Sequence, residues 1–180
     1  MKRFVACLAI IPLAAWVSAA AAEDAAKAPK TVSLEVRSSS FPSGGPIPRK
    51  YTKEGEDLSP ALEWSGAPAA AKAFAVIMDD PDVPLANPFV HWVAYGIAGD
   101  AHALPEAAKT GFVAGKNHFG ALGYGGPMPP PGSGPHHYHF KVYALDAEVD
   151  PAPGKSKGEL LESMEGHVLA TGEVVGTYER

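Results

Sequence analysis

Between Gly123 and Asp146 a loop built largely of glycine and proline, GYGGPMPPPGSGP, runs straight into the β-rich segment HHYHFKVYALD. No other junction in the chain restricts the fold so strongly. Pro and Gly fix turn chemistry on one side, and the β-branched and aromatic residues on the other ask for a long strand. Side chains alternate along a strand, so His136, Tyr138, Phe140 and Val142 share one face and His137, His139, Lys141 and Tyr143 the other. His136 and Tyr138 can therefore act together, at a strand end where a loop can build a cleft.

The rest of the chain repeats this punctuated pattern. Glycine (19) and proline (18) are about a fifth of the 180 residues, which favours turns and short strands over long helices. The length suits one domain with a real core. Net charge is −5 and the lysines and arginines are scattered. With no basic stripe to follow a phosphate backbone, nucleic acid is not an expected partner.

Residues 1–22 read as a cleaved secretory signal peptide, with Lys2 and Arg3 as its basic start, Phe4 to Val17 as its apolar run and small residues from Ser18 to Ala22. The apolar run is shorter than the roughly 17 to 25 residues of a spanning helix, so no membrane span is expected. Cys7, the single cysteine, lies inside it; the mature chain is expected to carry no thiol, disulfide or cysteine-linked lipid. Loss of Lys2 and Arg3 takes the net charge from −5 to −7. Residues 23–30 read as a flexible leader and 31–180 as the folded domain of a periplasmic or secreted protein.

Val32, Leu34 and Val36 alternate with polar neighbours as a half-buried first strand. Phe41 to Pro60 reads as a long surface connection, with Tyr51 opening a short strand. Leu62 to Trp64 is a short strand, and Phe74 to Met78 (FAVIM) a central strand covered on both faces. It is expected to stop at Asp79, because the carboxylates of Asp79, Asp80 and Asp82 beside Pro81 and Pro84 turn the chain out. In the strand Phe89 to Ile97, His91, Val93 and Tyr95 are expected on one face and Val90, Trp92 and Ala94 on the other. A histidine there is either a hydrogen-bonded core residue or a pocket wall. Asp100 to Thr110 and Gly111 to Gly123 read as irregular. Ser156 caps a helix from Lys157 to Gly166, with Glu159 in the capping-box position, Leu160, Leu161 and Met164 as its apolar stripe, and Val168 and Leu169 as a further turn. Glu173 to Tyr178 is the last strand. Five to eight strands and one late helix point to a mainly β fold, a β-sandwich with helical decoration.

Four ordered motifs carry a resemblance: DDPDVP, HWV within an apolar strand, GYGGPMPPPGSGPHHYHFKVYALD, and GHVLATGEVVGTYER at the C-terminus. Together they resemble the phosphatidylethanolamine-binding protein (PEBP) family, in its bacterial Raf-kinase-inhibitor-like YbhB/YbcL branch, and Leu58 to Gly66 fits that branch's SPxLxWSG stretch. The resemblance implies a sandwich of two antiparallel sheets with a small anion-binding cavity for phosphate or a phospholipid head-group. Asp80 and Asp82 match the acids of the DPDxP loop and Pro84 its closing proline. His91 matches the strand histidine, Gly126 and Pro127 the second loop, and His136 and Tyr138 the first and third positions of the HRY triplet. These eight are the candidate ligand-binding residues. Two imidazoles, a phenol and backbone N–H groups of the Gly-Pro loop would line one hole, with Asp80 orienting a histidine. His137 stands where the family usually has arginine, so an ion pair to a DPDxP acid would there depend on a protonated imidazole.

These features describe a binding or regulatory module with no cofactor: there is no nucleophile elbow, Walker loop or mature thiol. The resemblance implies a phosphate-bearing ligand or phospholipid head-group, a protease or kinase as protein partner, and a homodimer. Two enzymatic alternatives stay open. One is a metal enzyme using the HxH of His137 and His139 with His91 or His136. The other is a small-molecule enzyme using Asp80, His91 and His136 as an acid/base set around a bound anion.

Overall fold

A computed structural model describes residues 32–180, so the signal peptide and leader expected over 1–30 lie outside the described residues. The chain forms β1 (Val32–Ser33), β2 (Glu35–Arg37), β3 (Leu62–Ser65), β4 (Ala73–Asp80), β5 (Phe89–Ala98), β6 (Ala103–Leu104), β7 (Val113–Ala114), β8 (His136–Leu145), α1 (Lys157–Met164) and β9 (Val168–Tyr178). A six-stranded sheet has the order β1-β9-β8-β4-β5-β7 and a three-stranded sheet the order β2-β3-β6. All pairings are antiparallel except β1 with β9. The fold is mainly β, as the sequence indicates.

The core forms on both sides of the large sheet because β4, at its centre, is apolar on both faces. Phe74, Val76 and Met78 join Trp92, Phe140 and Val142 against Leu62, Trp64 and Leu104 of the small sheet. Ala75 and Ile77 join Val93 and Tyr95 under Leu160 and Met164 of α1. Every residue of β4 is buried. The helix starts where a capping box predicts: Ser156 Oγ accepts the Glu159 N–H, and the Glu159 carboxylate accepts the Ser156 N–H.

Several local expectations are corrected. The first strand divides at Leu34, whose N–H donates to Thr171 O at 2.8 Å; β1 joins the large sheet and β2 the small one. The stretch after Phe41 is more than a surface connection, because Phe41, Ile47 and Tyr51 are core residues and Tyr51 closes a 3-10 turn, Arg49–Tyr51. β4 does not stop at Asp79. It continues through Asp80, because Lys141 and Lys157 both hydrogen-bond the Asp79 carboxylate and offset its burial. The two stretches read as irregular each hold a two-residue strand, β6 and β7. Leu161 is exposed rather than part of the buried stripe, and Val168 opens β9 instead of extending the helix.

Candidate functional site

The candidate site lies where β8, β4 and β5 end side by side. Asp80 closes β4, paired with Phe89 at the start of β5. On the other flank β8 begins with His136 and Tyr138, on the same face as Phe140 and Val142, as its alternation predicts.

His91 reaches this face by a β-bulge. Asp79 pairs with Val90 and Met78 with Trp92, leaving His91 as the extra residue on β5. The bulge shifts only Val90 and His91 from their expected faces: Val90 joins Val93 and Tyr95 beneath α1 and His91 leaves them, whereas Trp92 and Ala94 face the small sheet, opposite Val93 and Tyr95 as the alternation predicts. His91 instead stands beside Phe89, at 5.0 Å between ring centres, and edge-on to Tyr138 at 5.1 Å.

The resulting cavity has a volume of about 220 Å³ and combines Asp80, His91, His136 and Tyr138 with Val83, Phe89, Phe119, Met128, Pro129 and Pro130. That is smaller than the roughly 300 to 1,000 Å³ of pockets for drug-sized ligands. Neither lysine nor arginine contributes to this lining.

Three of the four polar groups, His91, His136 and Asp80, are held by hydrogen bonds from neighbouring chain segments. His91 Nδ1 lies 2.7 Å from the Gly125 carbonyl, which only accepts, so Nδ1 carries the proton. Burial lowers the His91 pKa, against the opposing pull of that carbonyl and Asp80, so the ring is neutral near pH 7 and Nε2 offers a lone pair. His136 Nδ1 lies 2.7 Å from Asp80 Oδ2, while Asp80 Oδ1 accepts the Asp82 N–H at 2.8 Å. His136 Nε2 lies 3.1 Å from Ser133 Oγ. The Tyr138 hydroxyl is buried and has no hydrogen-bond partner. Burial, with a smaller contribution from Asp80 and Asp82, pushes its pKa far above the ordinary phenol value; it stays a neutral donor.

Four of the eight candidate residues, Asp80, His91, His136 and Tyr138, thus converge on one cavity, and four stand behind or beside it. Asp82 is exposed and bonds the ring and backbone N–H of His137, both at 2.7 Å. Pro84 is exposed, and Val83 takes the place on the cavity wall. Gly126 donates its N–H to Asp57 Oδ1 at 2.7 Å, and the Pro127 carbonyl accepts the Lys53 N–H at 3.1 Å. The Gly-Pro loop therefore presents no backbone N–H from these two residues to the cavity, contrary to expectation: Asp57 consumes the one and proline has none. Its contribution is the Gly125 carbonyl behind His91 and the wall Met128–Pro130.

His137 and His139 do not converge on one point. His137 meets Asp82, and His139 Nδ1 lies 3.1 Å from Glu173. Among the described residues no group of three or more His, Cys, Asp or Glu is placed to hold a metal ion, and no helix is long and apolar enough to cross a membrane. Sequence reasoning missed Phe89, Phe119 and Ser133. The apolar PMPPP run could have signalled a wall, but nothing in GKNHFGALG singles out Phe119.

Comparison with known proteins agrees with this architecture. The family model described as phosphatidylethanolamine-binding protein matches residues 37–179. A UPF0098 protein of Pyrococcus horikoshii is 46% identical over 156 residues, covering 83% of this chain and 78% of that one. Among solved structures, a phosphatidylethanolamine-binding protein homologue from Chlamydia trachomatis is 38% identical with a TM-score of 0.77, and E. coli YbcL is 34% identical with a TM-score of 0.77. Each alignment covers 83% of this chain and 99% of the other.

Proposed function

The chain belongs to the phosphatidylethanolamine-binding protein family, and from that premise we propose that it is an exported binding module whose cavity takes a small, singly ionised phosphate-like group. The observation that carries this reading is Tyr138: a buried hydroxyl without a partner, on a residue that lines the cavity with two imidazoles, is costly unless a ligand accepts from it. The lining also selects the ligand's charge. With no lysine or arginine in the wall and Asp80 already negative, a doubly charged group would meet no fixed cation. A monoanion fits better, its P–O⁻ accepting from Tyr138 and its P–OH donating to His91 Nε2.

Hydrogen bonds to charged groups are worth about 1.5 to 3 kcal/mol each, and association costs about 4 kcal/mol or more. Bare phosphate should therefore bind weakly. Further affinity would come from whatever carries the phosphate as it crosses Phe119 and Met128, which are exposed at the wall. A lipid head-group and a phosphorylated loop of a protease or kinase partner share that chemistry. Export rests on residues 1–22, and the mass of the mature N-terminus tests it.

The binding test is titration with phosphate and with phosphoethanolamine, following the His91 and His136 ring signals by NMR. Saturable shifts of both rings are expected. Rings that do not move would overturn the reading.

A further inference from the structure

Ser133 and Asp80 meet opposite nitrogens of the His136 ring, Asp80 and His136 in the cavity wall and Ser133 outside it. Ser133 Oγ is 3.1 Å from His136 Nε2, and on the other side of the ring His136 Nδ1 is 2.7 Å from Asp80 Oδ2. An ionised carboxylate only accepts, so it holds the proton on Nδ1 and leaves the Nε2 lone pair on the side of Ser133 Oγ. Asp80 is aimed in turn by the Asp82 N–H on its other oxygen. The side chains of His136 and Asp80 are 5% and 3% exposed, whereas Ser133 is exposed. Gly132 and Gly134 flank it with φ of 76° and 82°, a turn that glycine adopts freely. A Cβ on either glycine would meet nothing within 4 Å, so a substrate can approach Ser133 from outside.

We infer that Ser133 is a nucleophile activated by His136 and positioned through Asp80, and that the chain hydrolyses small carboxylic esters, one arm of which enters the apolar cavity. The arrangement has the roles of a Ser-His-Asp triad without a nucleophile elbow, and such triads are recognised by geometry rather than by sequence order. The single Ser133 hydroxyl proton has two acceptors within reach, the Pro130 carbonyl at 2.8 Å and His136 Nε2 at 3.1 Å, and serves one at a time; attack requires it to turn from the carbonyl to Nε2.

In the acylation step Ser133 Oγ forms a bond to the ester carbonyl carbon while its proton passes to His136 Nε2. The tetrahedral adduct then breaks its bond to the leaving oxygen, which takes that proton and departs as the alcohol. Water attacks the acyl-serine, gives a proton to Nε2, and that proton returns to Ser133 Oγ as the acid leaves. One ester and one water thus yield one acid and one alcohol. The unpartnered Tyr138 hydroxyl, in the cavity wall with His136, is the donor assigned to the developing oxyanion. The inference shares the cavity with the binding reading but does not require anion affinity.

The experiment treats the purified mature chain with an alkyl fluorophosphonate, locates the adduct by peptide mass mapping, and follows p-nitrophenyl acetate hydrolysis in parallel. An adduct on Ser133 is expected, with both signals lost in Ser133→Ala and slowed at least about 100-fold in His136→Gln, the lower range for a positioned general base. Asp80→Asn, a change in a positioning residue, should alter the pH profile of labelling as well as its rate. Ser133→Ala should retain the phosphate-induced shift of His91, which separates this inference from the binding reading. No Ser133 adduct on wild-type protein with a dispersed amide spectrum, or equal labelling of His136→Gln, overturns the inference. A Ser133 adduct without any phosphate shift would leave it standing and overturn the binding reading alone.

Discussion

The His137 ring and the His137 backbone N–H converge on a single oxygen of Asp82, Oδ2, each at 2.7 Å. This contact fastens the DPDVP turn to the first residues of β8. Burial pushes the Asp82 carboxyl upward, but the two bonds from His137 outweigh it and hold the pKa below the ordinary value. A depressed carboxyl contributes stability above its unfolded pKa and loses it as pH falls through the lower native value. His137→Ala removes the ring and keeps the backbone donor. The Asp82 midpoint, read from its side-chain carbon by NMR, should rise; an unchanged midpoint would refute the ring's part.

Asp79 is likewise held by side chains from elsewhere in the chain, and here the consequence is larger. It is 1% exposed and bonds Lys141 on β8 and Lys157 at the start of α1. Burial raises its pKa, yet the lysines together turn the shift downward. Replacing both with methionine leaves a buried charge without a partner, expected to cost about 3 to 5 kcal/mol in urea unfolding at pH 7. The pH dependence should also change sign. In the wild type this contribution is lost as pH falls through the depressed native pKa. In the double variant burial alone acts, the native pKa lies above the unfolded one, and acidification should recover stability.

These two carboxylates also mark where reading the sequence reaches its limit. Period-2 alternation placed His136 and Tyr138 on one face because nothing interrupts the start of β8. The same rule holds in β5 from Trp92 to Tyr95 and fails at Val90 and His91, where the bulge depends on the register between two strands and leaves no local signature. Asp79 looked like a strand terminator because Lys141 and Lys157 lie far from it in sequence. Capping is local, so the start of α1 was legible at Ser156 and Glu159. Phe119 reaches the cavity wall through a glycine-rich loop whose path only tertiary packing defines.

Gly126 illustrates a motif residue whose necessity is steric. An added Cβ would lie 2.3 Å from the Tyr51 carbonyl oxygen and 2.8 Å from Thr52 Cα. Both are backbone atoms of a packed segment that cannot yield cheaply. Gly126→Ala should lower thermal and urea stability by about 1 to 3 kcal/mol or more. At a temperature where the variant is folded, its phosphate affinity should fall far less than that of a cavity variant, because its N–H serves Asp57. Loss of phosphate binding from a fully folded Gly126→Ala protein would show that the loop N–H reaches the ligand after all.

Tyr138→Phe separates stability from binding most sharply. The substitution deletes only the hydroxyl, which is buried and makes no hydrogen bond in the free protein. An unsatisfied buried polar group costs about 1 to 3 kcal/mol, so removing it should leave the free protein as stable as wild type or more stable. Upon binding, the same hydroxyl becomes a donor to a charged oxygen, worth about 1.5 to 3 kcal/mol. Phosphate affinity should therefore fall about tenfold or more while the melting temperature holds or rises. A ring-to-ring contact such as His91 against Tyr138, at 5.1 Å, survives the change and keeps the cavity's shape. If calorimetry finds affinity unchanged in Tyr138→Phe, the hydroxyl does not meet the ligand, and recognition must rest on the imidazoles.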